Sequence, residues 1–238
     1  MCKLYFQQVD NPSSCHYHEV RGKEELMRFT PIDFNTWPRR EMFYYFSKMA
    51  PTGYSLTVDV TLLLKKLKSS SRNFFPTYLW LVTTSLNRQQ EFKIAYREGE
   101  FGCYDTLTPL YAVFHNDDKT IALMWTEYDE EYSVFYDRYM ENQKKYGGNH
   151  GLLSQPGSPP PANAYTVSAV PWISFRSFSL QTDNREYFFP SVEAGRIYEA
   201  DGRMLMPLSV TCHHAATDGY HVNMFLKELQ KVMDSIIL

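Results

Sequence analysis

The 238-residue sequence has few cysteines and no long hydrophobic run, and each absence excludes a class of protein. Its four cysteines have neither the spacing of a zinc site nor that of a disulfide framework, which favours free thiols in a reducing cytoplasm. No stretch approaches the roughly 20 apolar residues of a membrane span, and the first residues contain no apolar segment of signal-peptide length. We therefore expect a cytoplasmic protein with no membrane partner.

The sequence also lacks an excess of charge of either sign. It has 24 Lys and Arg against 27 Asp and Glu, a formal net charge of -3. The densest basic stretch, LLLKKLK at 62–68, fits an amphipathic helix better than a nucleic-acid contact, so we expect no nucleic-acid partner. Hydrophobic residues make up 44% of the chain, which is enough apolar surface for a well-packed core.

The hydrophobic pattern predicts both helices and strands. Helical patterns occupy 32–49, 62–68, 75–90, 130–148 and the C-terminal stretch from about Tyr220. Strand patterns occupy 54–61, a hairpin at 97–105, and 109–116, 120–128, 165–180, 188–200 and 203–214, with an Asp-Gly turn at 201–202. These patterns predict an α/β two-layer sandwich, in which helices pack on a mixed, largely antiparallel sheet. The Pro-rich stretch 151–163 is predicted to be an exposed loop inside that domain.

The segment HHAATDGYH, residues 213–221, concentrates three of the seven histidines at the predicted junction between the last strand and the last helix. A histidine at such a junction can serve as a general base near neutral pH. On the motif alone, two other interpretations remain open. His214 could be a hydrogen-bonded structural residue, or His213, His214 and Asp218 could ligate zinc in a hydrolase, although no further ligand is obvious on a neighbouring strand.

The pattern His-His-x-x-x-Asp-Gly resembles the signature of CoA-dependent acyltransferases that use the second histidine as base. Five more segments, in the same order along the chain, resemble chloramphenicol acetyltransferases in particular: WPRREMFYYF, YDTLTPLYAVFHND, ALMWTEY, VSAVPWISFRSFSL and YFFP. The resemblance covers residues 31–238 and implies a catalytic domain there, with residues 1–30 as an N-terminal extension of unknown role. It also implies acetyl-CoA as co-substrate, a small-molecule acceptor with a primary hydroxyl, no metal, and a homotrimer with active sites at subunit interfaces.

Four residues acquire catalytic-site roles from this resemblance. His214 matches the general base, which in the family is held by a contact of the ring with its own backbone carbonyl. Asp218 matches a carboxylate that pairs with an arginine, here Arg39, and holds the loop. Ser168 matches the serine whose hydroxyl stabilises the tetrahedral oxyanion. His213 is expected to be structural and His221 to lie at the pocket rim or surface.

The resemblance also assigns binding positions. The acceptor-pocket positions are Phe46, Thr52, Tyr54, Tyr111, Phe135, Phe178, Leu180 and Glu193. Tyr54, Tyr111 and Phe135 could equally belong to the hydrophobic core. Arg196 matches a basic residue near the phosphate-bearing end of CoA. A second candidate cluster, CHYH at 15–18, lacks a fourth metal ligand nearby.

The sequence departs from the family at the strand that follows YFFP. Glu193 stands where the family has a threonine that holds a water near the intermediate, and Ser191 replaces an apolar pocket residue. A carboxylate beside an oxyanion is unfavourable unless it is protonated or turned away. Besides chloramphenicol acetylation, three alternatives therefore stay open: a different acceptor, an inactive binding protein, or a dihydrolipoyl acyltransferase domain, although the sequence before residue 31 contains no lipoyl segment.

Overall fold

The computed structural model describes residues 27–180 and 186–238. Most of the expected N-terminal extension, including Cys15, His16 and His18, lies outside this range. The first strand begins at Phe29, two residues before the expected start of the catalytic domain. In the described chain, no helix is both long enough and apolar enough to cross a membrane.

The described residues form five α-helices and ten β-strands. The helices are α1 Arg40–Phe46, α2 Thr61–Lys68, α3 Phe74–Asn87, α4 Tyr132–Tyr146 and α5 Gly219–Ser235. The strands are β1 Phe29–Pro31, β2 Thr52–Asp59, β3 Ile94–Arg97, β4 Glu100–Tyr104, β5 Thr108–Phe114, β6 Ile121–Trp125, β7 Ala164–Val170, β8 Ser191–Gly195, β9 Tyr198–Ala200 and β10 Arg203–Cys212. The predicted hairpin turn is present, with Asp201 and Gly202 both at positive φ.

The main sheet has the strand order β2-β10-β8-β7-β5-β6, and β9 also pairs with β10. Strands β5, β7 and β8 are parallel to one another, whereas the other pairs are antiparallel. A separate three-stranded sheet has the order β1-β4-β3. The main sheet is therefore mixed and largely antiparallel, which confirms the predicted fold class.

One face of the main sheet is covered by helices and forms the hydrophobic core. Alternate residues of β10, such as Leu208 and Val210, and of β8, such as Val192, point to this face because side chains alternate along a strand. The apolar stripe of α5, with Phe225 and Leu229 fully buried, packs into the same core. The last helix is thus fixed relative to β10, and the loop that joins them has rigid supports on both sides.

The opposite face of the sheet is covered by an irregular segment, residues 171–180. The predicted strand 165–180 is wrong in its second half, since β7 ends at Val170. Pro171 follows, and a proline has no N–H with which to continue the ladder. The segment then lies over the sheet, where Ser209 Oγ donates a hydrogen bond to the Phe178 carbonyl at 2.6 Å. Gly195 permits this close approach, because a Cβ there would lie 2.9 Å from the Phe175 ring.

Candidate active site

The two adjacent histidines lie directly after the end of β10, in a loop that leads into α5. Ala215 and Ala216 in this loop are fully buried in a small cluster with Phe43 of α1 and Phe101 of β4. Because these two alanines pack tightly against α1 and β4, the backbone of the loop is restrained. Packing, and not only the flanking strand and helix, therefore fixes the backbone on which His214 is carried.

His214 is partly exposed, and its ring meets the ring of Phe46 edge to face at a centroid distance of 4.2 Å. Its Nδ1 atom is buried and has no hydrogen-bond partner in the described chain. Among the described residues, no carboxylate therefore orients this ring through Nδ1 as the aspartate does in a serine protease triad. Phe46, predicted as a pocket residue, thus packs on the ring of His214, the predicted base.

Asp218 connects the loop to two other elements. Its Oδ2 atom accepts a hydrogen bond from Arg39 Nη1 at 2.9 Å, which forms the ion pair that the family resemblance implies. Its Oδ1 atom accepts from the Tyr220 N–H and so caps α5. Burial opposes ionisation of Asp218, but hydrogen bonding to Arg39 and the nearby charges of His221 and Arg39 outweigh it, and the pKa lies below its ordinary value.

The other two histidines of the motif have structural environments. His213 is buried against Phe188, and its Nδ1 accepts a hydrogen bond from the Ala215 N–H at 3.2 Å. Burial, followed by the nearby His214, lowers the pKa of His213. His221 was expected at the rim, but it is buried in the first turn of α5, where it forms a capping box with Asp218.

Two further predicted pocket residues lie at the two ends of the loop that carries His214. Thr52 pairs with Cys212 at the end of β10. The ring of Tyr54 lies on the helix-covered side, 3.8 Å from where a Cβ of Gly219 would be, beside the start of α5. We call the region formed by Arg39, Phe46, Thr52, Tyr54, His214 and Asp218 the base end of the chain.

Ser168 and Glu193 lie elsewhere, on the helix-free face of the sheet. Two rows of polar side chains cross this face, one formed by Thr166, Ser191 and Thr211, the other by Ser168, Glu193 and Ser209. Each row contains one residue from β7, one from β8 and one from β10, paired in register. We refer to them as the polar rows. The sequence signal is the alternation of polar with apolar residues in three strands. Ser168, Ser191 and Glu193 were predicted at the site, whereas Thr166, Ser209 and Thr211 were not.

Glu193 is the most unusual member of the polar rows, since only 1% of it is exposed. Ser191 Oγ donates a hydrogen bond to Oε1, whereas Oε2 is buried and has no partner within the described range. Burial raises the pKa of Glu193 to about 7, although the bond from Ser191 acts in the opposite direction. A carboxyl group at this site is therefore largely protonated at slightly acidic pH.

The register of the strands separates Ser168 from His214 within one chain. Ser168 is two strands away from Ser209, which lies three residues before the end of β10 at Cys212. At about 3.3 Å per residue and 4.8 Å per strand, Ser168 and Cys212 are roughly 14 Å apart at their Cα atoms. Within one chain, the predicted oxyanion donor therefore lies well away from the end of the strand that leads to the predicted base.

The segment over the helix-free face contributes the remaining pocket candidates. Phe178 is partly buried, and Leu180 is about half exposed and lines a cavity of about 220 Å³. Residues of one polar row, Thr166, Ser191 and Thr211, line the same cavity, as does His213. Ser168 and Glu193 lie one row farther from the end of β10 and do not line it.

Three predicted binding residues lie away from these groups. Tyr111 and Phe135 are completely buried in the helix-covered core, on the opposite face of the sheet from Ser168. The Tyr111 hydroxyl already shares a 2.7 Å hydrogen bond with Thr126. Because both side chains are enclosed in the core, neither is accessible to a ligand bound on the helix-free face. Arg196 is exposed just beyond β8, at the end of the sheet remote from His214.

Comparison with known proteins identifies the family. Residues 27–230 match the family described as chloramphenicol acetyltransferase. A chloramphenicol acetyltransferase of Campylobacter coli is 38% identical over 210 residues, covering 87% of this chain and 100% of that protein. One of Escherichia coli is 34% identical over 215 residues, covering 89% and 97%.

Solved structures share the fold. A chloramphenicol acetyltransferase structure superposes with a TM-score of 0.75 at 22% identity, covering 87% of this chain and 100% of the other. The dihydrolipoamide acetyltransferase of Azotobacter vinelandii superposes with a TM-score of 0.60 at 14% identity, covering 82% and 86%. Because the family match spans most of the chain and the curated relatives align over nearly their whole length, this chain belongs to the chloramphenicol acetyltransferase family and is an acyltransferase.

Proposed function

We propose that the protein transfers an acetyl group from acetyl-CoA to a primary hydroxyl of chloramphenicol, with His214 as general base. The observation that carries this proposal is the partly exposed His214 ring, held by Phe46 in a loop that the Arg39–Asp218 pair fixes. Family membership and the names of the curated relatives support the same reaction. Acetyl-CoA is a cytoplasmic metabolite, so we also propose a cytoplasmic location.

The chemistry follows from the roles of two side chains. His214 takes the proton of the acceptor hydroxyl as its oxygen attacks the thioester carbonyl of acetyl-CoA. The resulting tetrahedral intermediate has a negative oxygen, to which the Ser168 hydroxyl donates a hydrogen bond. Collapse of the intermediate breaks the C–S bond, and the CoA thiolate receives the proton from His214. General-base assistance accelerates such a step by about 10²–10⁴-fold, and one oxyanion donor by about 10²–10³-fold.

Asp218 acts in this proposal by positioning the loop. Its two oxygens are already engaged by Arg39 and by the start of α5, so it neither contacts nor orients the His214 ring. Removing one partner of this part-buried pair leaves the other charge without compensation, which destabilises the loop. Loss of Arg39 or Asp218 therefore displaces His214 instead of removing a proton acceptor.

We further propose a homotrimer with active sites at its subunit interfaces. The separation of roughly 14 Å between Ser168 and the end of β10 in one chain supports this arrangement, because reacting groups must approach to about 3 Å. The base end of one chain would then face the helix-free sheet face of its neighbour. Phe178, Leu180 and the polar rows would surround the acceptor, whereas Tyr111 and Phe135 would support the sheet from behind.

The CoA site is proposed on chemical grounds. Arg196 is an exposed cation next to the helix-free face and could pair with a CoA phosphate. The proposal includes no metal in the reaction, because a base and a hydrogen-bond donor suffice for acetyl transfer from a thioester.

A second acceptor is favoured by one observation: the Oε2 atom of buried Glu193 has no hydrogen-bond partner among residues 27–180 and 186–238. An acceptor with a positive charge or an additional hydroxyl could supply that partner. In that case the reaction and the roles of His214 and Ser168 stay the same, and only the acceptor differs. A catalytically inactive binding protein is the remaining alternative.

The test is acetyl transfer by the purified full chain. Free CoA thiol and acetylated product are measured with acetyl-CoA and chloramphenicol, then with a panel of amino and hydroxyl acceptors. We expect turnover with chloramphenicol that a chelator does not change and that His214→Ala reduces at least 100-fold. Circular dichroism and native mass of the variant control for folding and assembly. Absence of turnover with every acceptor would contradict enzymatic function, and loss with chelator would favour a metal hydrolase.

A further inference from the structure

A second group of chemically competent side chains lies at the turn between β5 and β6, away from the base end. His115 follows β5, and Asp117 and Asp118 occupy the turn. His150 comes from the loop after α4 and stacks on His115 at a ring-centroid distance of 4.0 Å. One ligand atom from each of His115, Asp117 and His150 lies within 4.8 Å of the other two.

The two aspartates engage the two nitrogens of His150 separately. Asp118 Oδ2 lies 2.8 Å from Nδ1, and Asp117 Oδ2 lies 3.4 Å from Nε2. In metal sites, a ligating histidine commonly donates its second ring N–H to a carboxylate, which fixes its tautomer. Asp118 is placed to do this for His150, so that Nε2 is left as the ligand atom beside Asp117.

His115 supplies an independent observation. It is only 5% exposed, and its Nε2 atom is buried without a hydrogen-bond partner in the part of the chain described here. An unsatisfied buried polar nitrogen costs about 1–3 kcal/mol. A metal ion would satisfy such a nitrogen, since neutral imidazole is a good ligand for zinc.

We propose that His115, Asp117 and His150 bind one divalent transition-metal ion, with Zn²⁺ as the best match, and that Asp118 orients His150. Two imidazoles and one carboxylate select zinc over Mg²⁺ or Ca²⁺, which prefer oxygen ligands alone. Ligands about 2.0–2.1 Å from a tetrahedral ion lie roughly 3.3 Å apart, close to the 3.4 Å between His150 and Asp117. Water completes the coordination.

Binding requires one local adjustment. An ion lies in the plane of each imidazole that ligates it, so two stacked rings must splay apart. The His150 side chain is 43% exposed and comes from an irregular loop, so His150 is the ring that tilts, about its contact with Asp118, while buried His115 stays in place. The ion would then link the β5–β6 turn to the loop that follows α4, and its role is structural and independent of acetyl transfer.

Isothermal titration of the chelator-treated full chain with Zn²⁺ tests the site. We expect one Zn²⁺ per chain, and binding at least tenfold weaker in His150→Ala and in Asp117→Asn. Asp118→Asn should weaken binding about 10–100-fold through loss of the second hydrogen bond to His150. Saturating Zn²⁺ should raise the Tm of the wild type by roughly 2–5 °C and leave that of His150→Ala unchanged.

Two controls separate this site from other zinc ligands. Asp201→Asn changes an exposed aspartate in another hairpin turn and should bind like the wild type. A Cys15→Ser, His16→Ala, His18→Ala chain should also keep full affinity. The inference is overturned if this N-terminal variant loses binding, if the titration of wild type gives no one-to-one site, or if His150→Ala and Asp117→Asn bind as tightly as Asp201→Asn.

Discussion

Replacing Glu193 by glutamine tests whether a buried, protonated carboxyl lies in the polar rows. The change keeps the size and shape of the side chain and removes its ionisation. In the wild type, Ser191 binds one oxygen, the other oxygen has no partner in the described chain, and burial raises the pKa to about 7. The variant should therefore differ from the wild type in its pH dependence.

The magnitude follows from the difference in pKa between the folded and unfolded chain. A rise from the ordinary value of 4.5 to about 7 corresponds to about 3 kcal/mol, at 1.36 kcal/mol per pH unit. Because the folded state holds the proton more tightly, the contribution of Glu193 to stability is greatest below pH 4.5 and is lost as the pH rises through 7. Above pH 7 the folded protein carries the full penalty of a buried carboxylate.

Thermal unfolding at pH 5 and pH 8.5 measures this penalty. We compare the free energy of unfolding of Glu193→Gln with that of the wild type at each pH. From pH 5 to pH 8.5 this difference should shift in favour of the variant by up to about 3 kcal/mol, or roughly 6–12 °C in Tm for a chain of this size. Glu199→Gln, at an exposed glutamate on β9, is the matched control and should gain nothing. If the Tm difference between Glu193→Gln and the wild type is equal at both pH values, the reasoning about a buried neutral carboxyl is refuted.

The same charge should affect catalysis. A carboxylate 4 Å from an oxyanion opposes it by about 4 kcal/mol at an effective dielectric constant of 20. Chloramphenicol turnover by the wild type should therefore fall as Glu193 ionises above pH 7, and Glu193→Gln should remove that fall. Glu193→Thr should raise kcat for chloramphenicol. If it instead leaves chloramphenicol turnover unchanged and weakens another acceptor, Glu193 is an acceptor contact; no effect on any acceptor would mean that it lies outside the site.

The remaining predictions concern the base end and the assembly. His213→Ala should lower thermal stability more than His214→Ala, because it empties a buried position; the opposite order, by thermal melts, would contradict the assigned roles. Asp218→Asn and Arg39→Ala should each lower activity and Tm and couple by at least 0.5 kcal/mol in a double-mutant cycle, whereas additive effects would mean that the pair does not form. Light scattering at micromolar concentration should give a trimer. Co-refolding inactive His214→Ala chains with inactive Ser168→Ala chains should restore part of the activity, and a monomer or no restoration would exclude a shared site.

The sequence alone determined the elements of the fold, their class and the family. Local patterns carry that information, since the α5 stripe, the Asp201–Gly202 turn and the HHAATDG loop can each be read from one continuous stretch of sequence. The predicted pairing of Arg39 with Asp218, 179 residues apart, came from the resemblance and is present in the structure. The strand prediction failed after Val170, where alternation continues but Pro171 ends the ladder.

Only the tertiary structure decided which residues share a surface. Aromatic residues fit a pocket and a core equally well in sequence, and the helices that cover one sheet face assign Tyr111 and Phe135 to the core. Strand register, which the sequence does not encode locally, puts Ser168 beside Glu193 and roughly 14 Å from the end of β10. His115 and His150 are likewise distant along the chain. They meet only because the fold brings the loop after α4 beside the end of β5. Such contacts depend on how elements pack, and the periodicity of one element does not indicate which other elements lie beside it.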